Sequence, residues 1–414
     1  MTKKLNILMS AAAAVALIAP AALADGDDGA KVYIDQVQLH EVWSNLDVHV
    51  GKKAHGDVAV GTSSVGNTAS GMIKSGDLTY SAKQEMHGDT GAVTNIAGGD
   101  IKGALYATTT SYANASTAGT WDGNLSYRAE QLNGGDVRAT TNVKVRNVGK
   151  AATSTTAIAN VSTPENEYGK NGSFSQQTNN GSSFATTNAT VCCDNKSASF
   201  STVAGGNAVS SAGSTSTVIN GAVQEQAYDT NIQATSRIHV VNAKNVTSSA
   251  TAAANSYTLH NEYGYATLGR DVSPLYQGNG ADVQSVSKVH LDHWNGHAVS
   301  NAYGVGNSAL ITNSVSDTGL YSVQYNGGTV SSSASLSGTS TSGGAGFVNS
   351  TAIGNAATAT LCNTCGDATL HGNVHQTNSG ATYANAKIHA GHTGNLYGSA
   401  TAVGNSASFT ASSD

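Results

Sequence analysis

An Asn preceded by Gly or Ala recurs along the chain at Asn67, Asn114, Asn160, Asn207, Asn255, Asn307, Asn355 and Asn405. The successive spacings are 47, 46, 47, 48, 52, 48 and 50 residues. A second marker keeps the same phase: Gln36, Gln84, Gln131, Gln177, Gln224, Gln277, Gln324 and Gln376 each stand 29 to 31 residues before their Asn. Two markers in step over eight copies mean stacked repeats, each too poor in apolar surface to fold alone.

Within each copy the residues alternate with period two, the signature of half-buried strands. Leu78, Tyr80, Ala82 and Gln84 share one face, as do Leu125, Tyr127, Ala129 and Gln131, while Lys83, Arg128 and Glu130 point away. Beyond the Gln, Val137, Ala139, Thr141, Val143 and Val145 face in, and Arg138, Lys144 and Arg146 face out. Around the second marker Ile353, Asn355, Ala357, Ala359 and Leu361 share a parity. Both markers therefore lie on the apolar face. A buried amide is costly unless hydrogen-bonded, and identical amides stacked along parallel strands satisfy one another in a ladder. The expected fold is all-β: one elongated β-solenoid over residues 25–414, ordered from about Lys31 to Ala411, with eight repeats of about 47 residues. Two coils of about 23 residues per repeat are the preferred arrangement, one wide coil the alternative. Turn strings such as Gln131-Leu-Asn-Gly-Gly135 and Gln177-Thr-Asn-Asn-Gly181 are expected to supply positive-φ positions at a corner.

The N-terminus predicts export. Lys3 and Lys4 precede an apolar run from Ile7 to Ile18, and Ala22-Leu23-Ala24 forms a small-x-small cleavage site, so residues 1–24 read as a secretory signal peptide. The formal net charge is −6 and only 11% of residues are charged. Removing Lys3 and Lys4 deepens the acidic balance, which argues against nucleic-acid binding. Low charge and three prolines in 414 residues oppose the disorder that a Gly, Ser, Thr and Asn-rich composition otherwise suggests.

Chemistry-bearing residues are few. Aligning the outward strand after each Gln on its basic motif places His49, Ala97, Arg146, Cys192, His239, His290, Ser337 and His389 at one position. Two residues earlier stand Lys144, Arg237, Lys288 and Lys387. Such a column is a candidate contact for an anionic polysaccharide; the plainer reading is a solvated face that discourages edge association. The string His290-Leu-Asp-His293-Trp-Asn-Gly-His297 is dense in metal-type ligands, but a strand spreads them over opposite faces, so no metal and no cofactor is expected. A local Cys362–Cys365 disulfide is expected to clip a loop, and Cys192 and Cys193 are left to pair with each other or with another chain. Carboxylates are dispersed rather than paired in a cleft, so no enzyme is expected. The threonines of Thr108–Thr110 and Thr155-Thr156 do not propagate as an ice-binding array.

The leader, Asp-Gln-Val-Gln-Leu at 35–39 and the repeated A-x-G-N-[SAT]-[AS] strands resemble the D component of the holdfast anchor proteins of stalked alphaproteobacteria. That resemblance implies a surface protein associated with the outer membrane. With other anchor proteins it would fasten an adhesive extracellular polysaccharide to the envelope. Curli subunits are a more distant likeness, with Gln- and Asn-marked coils but a different marker spacing. They supply the alternative, a self-assembling fibre subunit or adhesin of the biofilm matrix.

Overall fold

The computed structural model describes residues 29–193, 195–214, 216–341, 344–363, 368–391 and 394–413. The expected leader, residues 1–24, lies outside them. Among the described residues the fold is all-β: every named element is a strand, and no helix there is long and apolar enough to cross a membrane. Each repeat contributes three segments. The first carries the Gln, beginning with Ala30–Gln38, and the second follows the corner, beginning with Val42–Ala54. The third carries the Asn, beginning with Val58–Ser75.

All pairing between strands is parallel and joins equivalent segments of successive repeats. Gln36 lies beside Gln84 and Gln84 beside Gln131, while Asn67 lies beside Asn114 and Asn114 beside Asn160. The Gln segments build one sheet and the other two segments a second. The expectation of two coils per repeat is therefore corrected: one repeat supplies one complete layer. The cause is visible at the markers. The Gln and Asn segments do not stack; they face each other across the interior, where Asn67 Nδ2 donates to the Glu85 carbonyl (2.9 Å) and Gln84 Nε2 to that of Ala115 (3.0 Å).

Both amide ladders run from end to end of the stack. Each Asn from Asn67 to Asn355 donates to Oδ1 of the next Asn, at 2.8–2.9 Å. Each also gives its second N–H to a carbonyl of the facing Gln segment, among them those of Leu132, Thr178 and Tyr325. The Gln ladder runs the opposite way: Gln84 donates back to Gln36, Gln131 to Gln84, and so on to Gln376, at 2.7–2.9 Å. Because both N–H groups are engaged, each amide has one orientation that satisfies it.

Around these ladders the core is thin and built of small side chains. One apolar cluster includes Ile96, Val143, Ile238, Leu291 and Trp294 between the second and third segments. Others place the Gln segment against the end of the Asn segment, through Tyr257, Leu259 and Leu320, and through Leu78, Tyr80 and Tyr127. Buried hydroxyls fill the rest. Thr62, Thr94, Thr109, Thr141, Thr155, Thr187 and Thr202 form a zigzag with 2.7–2.8 Å links. Ser236, Ser248, Ser287 and Ser300 form a second run of the same kind.

Two sequence expectations about local geometry change. The alternation slips by one residue at each Asn marker, so Ile353 is only half-buried while Ala352 and Asn355 are buried. Such an irregularity turns two successive residues inward, which is why the position before Asn is Gly or Ala. A Cβ at Gly306 would stand 2.4 Å from Asn326 Oδ1. The Q-x-N-x-G corners also lack the positive φ expected of them. Glycine is needed there for close stacking: a Cβ at Gly135 would lie 2.1 Å from the Gly88 carbonyl. The corner Asn residues make a further amide ladder, Asn133 to Asn179 at 2.7 Å and Asn326 to Asn378 at 2.7 Å.

Replacing Asn160 by Leu leaves Asn114 without its acceptor and strands the Thr178 carbonyl and Asn207 Oδ1. The expected loss is about 1–3 kcal/mol per buried group left unpaired. Because stability in a stack is a sum over layers and interfaces, the damage should be local, read as protease cleavage around the third repeat well below the denaturant midpoint. Cleavage spread evenly along the chain would refute the ladder's role. A pH prediction follows from Tyr80, which stacks on Tyr127 with ring centroids 5.3 Å apart and shares Ser116 Oγ with it. Burial pushes the Tyr80 phenol up to about 12 from 10.0, opposed in part by the Ser116 hydrogen bond. A proton held more tightly in the folded state stabilises fully below pH 10, and that contribution is lost as pH rises towards about 12. Tyrosinate absorbance should show a class of phenols that ionises well above pH 10 together with loss of β-structure.

Candidate functional site

The outward face of the second segment carries the basic positions singled out in the sequence, and the strand register settles which belong together. The column is His49, Ala97, Lys144, Thr190, His239, His290, Ser337 and His389. The neighbouring column is Asp47, Asn95, Asn142, Asn188, Arg237, Lys288, Ser335 and Lys387. Arg146 and Cys192 are thus two residues out of step with the placement expected, and Lys144 aligns with His239 rather than with Arg237. The reason is the corner of the fifth repeat. Asn179 and Ser183 are four positions apart, but their partners Gln226 and Ile232 are six positions apart. The left-handed Asp229, at φ 59°, lies in this longer corner.

The register divides the cations into tied and free. Arg146 Nε donates to Asp100 Oδ1 at 2.8 Å, and this hydrogen bond holds the Asp100 carboxyl below its usual range. Lys83 is tied to Glu85 (2.8 Å), Arg128 to Glu130 (2.6 Å) and Arg138 to Asp136 (2.7 Å). Arg138 also covers the Phe184 ring at 4.9 Å. Arg237, Lys288 and Lys387 are exposed and have no carboxylate within ion-pair distance among the described residues. Arg237 and Lys288 are direct neighbours on adjacent strands. With His239, His290, Ser335 and Ser337 they line a shallow groove of about 510 Å³. The sequence-derived face therefore survives in the C-terminal half as Arg237, His239, Lys288, His290, Lys387 and His389, and loses Arg146.

The remaining candidates are scattered. Cys192 and Cys193 form a vicinal disulfide. Cys362 is half-buried near the end of its strand, and Cys365 lies outside the described residues. His290 and Asp292 share a face, but His297 sits away from them, 6.1 Å from the Phe347 ring. Sequence reasoning missed the outward aromatics: Phe347 stacks on Tyr397 at 5.0 Å, and Trp121 meets Tyr168 edge-on at 6.0 Å. A hollow of about 430 Å³ beside Trp121 also contains Glu165, whose carboxyl burial pushes up, and His260. Their signal was available, since outward aromatics one repeat apart become neighbours in a parallel stack.

Fold and face together define a class: an all-β repeat protein held by internal amide ladders that displays its chemistry in outward columns. A sequence model of the family described as Holdfast attachment protein D matches residues 52–329 of this chain. The match covers more than half of the 414 residues, and the chain belongs to that family. No curated protein and no solved structure matches it.

Replacing Arg237, Lys288 and Lys387 together by Ser should leave stability within about 0.5 kcal/mol, as exposed substitutions usually do. Binding of the wild-type chain to an acidic polysaccharide should weaken as salt rises, and the triple variant should lose both the binding and its salt dependence. Binding unchanged by salt and by the triple variant would return the column to a solvated face.

Proposed function

We propose that this chain is an exported structural scaffold that anchors an adhesive polysaccharide to the cell envelope, and that it works without catalysis. Family membership is the observation that carries this reading. The geometry supports it. The ladders stack equivalent segments in parallel along one axis, the arrangement of a β-solenoid of eight turns. At about 4.8 Å per strand, eight layers make a rod of roughly 40 Å. The free cations on its flank suit an anionic polymer, with other surface anchor proteins as partners. The apolar leader at residues 7–18 supports export to the cell surface.

A second reading, self-assembly into a curli-like fibre, has its own observation. At one end of the described stack Gln36 has an unused N–H and Asn67 an unused Oδ1; at the other, Gln376 Oε1 and Asn405 Nδ2 complete the opposite set. A second copy stacked head to tail would extend both ladders without reversing either. A strain lacking the gene separates the readings. If the chain is an anchor, cells should still make adhesive and shed it into the medium. If they retain it, the anchor reading fails. Purified mature protein should stay monomeric across a concentration series if it is an anchor alone. Thioflavin-positive fibres from that protein would favour assembly.

A further inference from the structure

We propose that His239, His290 and Asp292 bind a divalent transition-metal ion, zinc foremost, on the outer face of the fifth and sixth repeats. The sequence separates His239 from the other two by a full repeat, so no local motif announces them. The parallel register sets His239 directly beside His290, with ring centroids 4.9 Å apart. Asp292, two residues beyond His290 on the same face, reaches back between them. Its Oδ1 lies 3.2 Å from His290 Nε2 and its Oδ2 3.5 Å from His239 Nε2. One ligand atom from each of the three falls within 4.8 Å of the others.

Three details favour a metal over a simple ion pair. Ligands 2.0–2.1 Å from a tetrahedral ion are separated by about 3.3–3.4 Å, close to both approaches of the carboxylate. His239 Nε2 is shut off from solvent yet makes no hydrogen bond, although the ring itself is 42% exposed. Its approach to Asp292 has an ion-pair distance without hydrogen-bond geometry, the arrangement two ligands have when they converge on a third body. Finally, His290 Nδ1 lies 2.9 Å from Ser337 Oγ on the next strand. That hydroxyl can donate to Nδ1 or accept from it; in the tautomer where it accepts, the Nε2 lone pair is free for a metal, as in the outer shell of metal-binding histidines. Arg237 and Lys288, two residues earlier on the same strands, oppose a cation and hold the affinity below that of a buried site. Three protein ligands leave a fourth position open to water or to an anionic group.

The test uses the purified mature chain, stripped by chelator and titrated with zinc at neutral pH against a chromophoric competitor. With thirteen histidines in the sequence, the reading is the difference between proteins. His290→Gln and Asp292→Asn should each lose one equivalent of zinc, or weaken it at least about tenfold. His293→Gln should match wild type, and all three should keep the wild-type circular dichroism. Cobalt in place of zinc should give a visible spectrum that the first two variants lack. Absence of zinc uptake by the wild-type chain overturns the proposal, as does uptake that is the same in His290→Gln and Asp292→Asn.

Discussion

The whole structure depends on amides that have nowhere else to go. Asn160 is fully buried, and its two N–H groups need two acceptors in a core made mainly of Ala, Val, Thr and Ser. One acceptor is the next Asn in the stack, and the other is a carbonyl of the opposite wall. The first bond fixes the register between layers and the second fixes the separation of the walls within a layer. An apolar residue could supply burial but neither distance. With so few large side chains, the hydrogen-bonded amides set the geometry that a thick hydrophobic core sets in other folds.

The two ladders stand on facing walls and run in opposite directions. Asn amides donate towards the C-terminal end, and Gln amides towards the N-terminal end. A row of aligned amides carries a dipole, as a helix does, and two antiparallel rows largely cancel it. The same opposition gives each end of the stack one free donor and one free acceptor. A chain whose ladders ran the same way would carry only donors at one end and only acceptors at the other.

Much of this was legible in the sequence because a parallel stack writes its constraints at a fixed interval. Both ladders, the inward alternation around Leu78 and Val137 and the all-β class could be read from spacing alone. The number of turns per repeat could not. A period says which residues are equivalent, but not whether a Gln and an Asn 30 residues apart stack on one another or face each other. The basic column was misaligned for a related reason. Two residues inserted at the Tyr228-Asp229 corner preserve the in–out alternation, so parity carries no trace of them. Counting thirteen residues from each Gln would have placed Lys144 correctly and left only the fifth repeat out of step. The slip at Ile353 escaped because Gly and Ala read equally well on either face.

The same physics decides how such a chain can carry chemistry. On one strand a side chain meets the residues two positions away, as Lys83 meets Glu85 and His290 meets Asp292, since successive residues point apart. Its other contacts come from the layers above and below, one repeat away. His239 and His290 are 51 residues apart in sequence and touch, whereas His290 and His297 are seven apart and do not meet. A functional group in this fold is therefore built across layers as well as along a strand, with one or two residues from each repeat at strand spacing. Substitution in a single repeat edits such a group without disturbing the ladders behind it, because the outward and inward faces share only the backbone. The interior can then keep its Asn and Gln in every layer while the exterior drifts from His49 through Thr190 to His389. Rigidity and binding are thus written on opposite faces of the same strands.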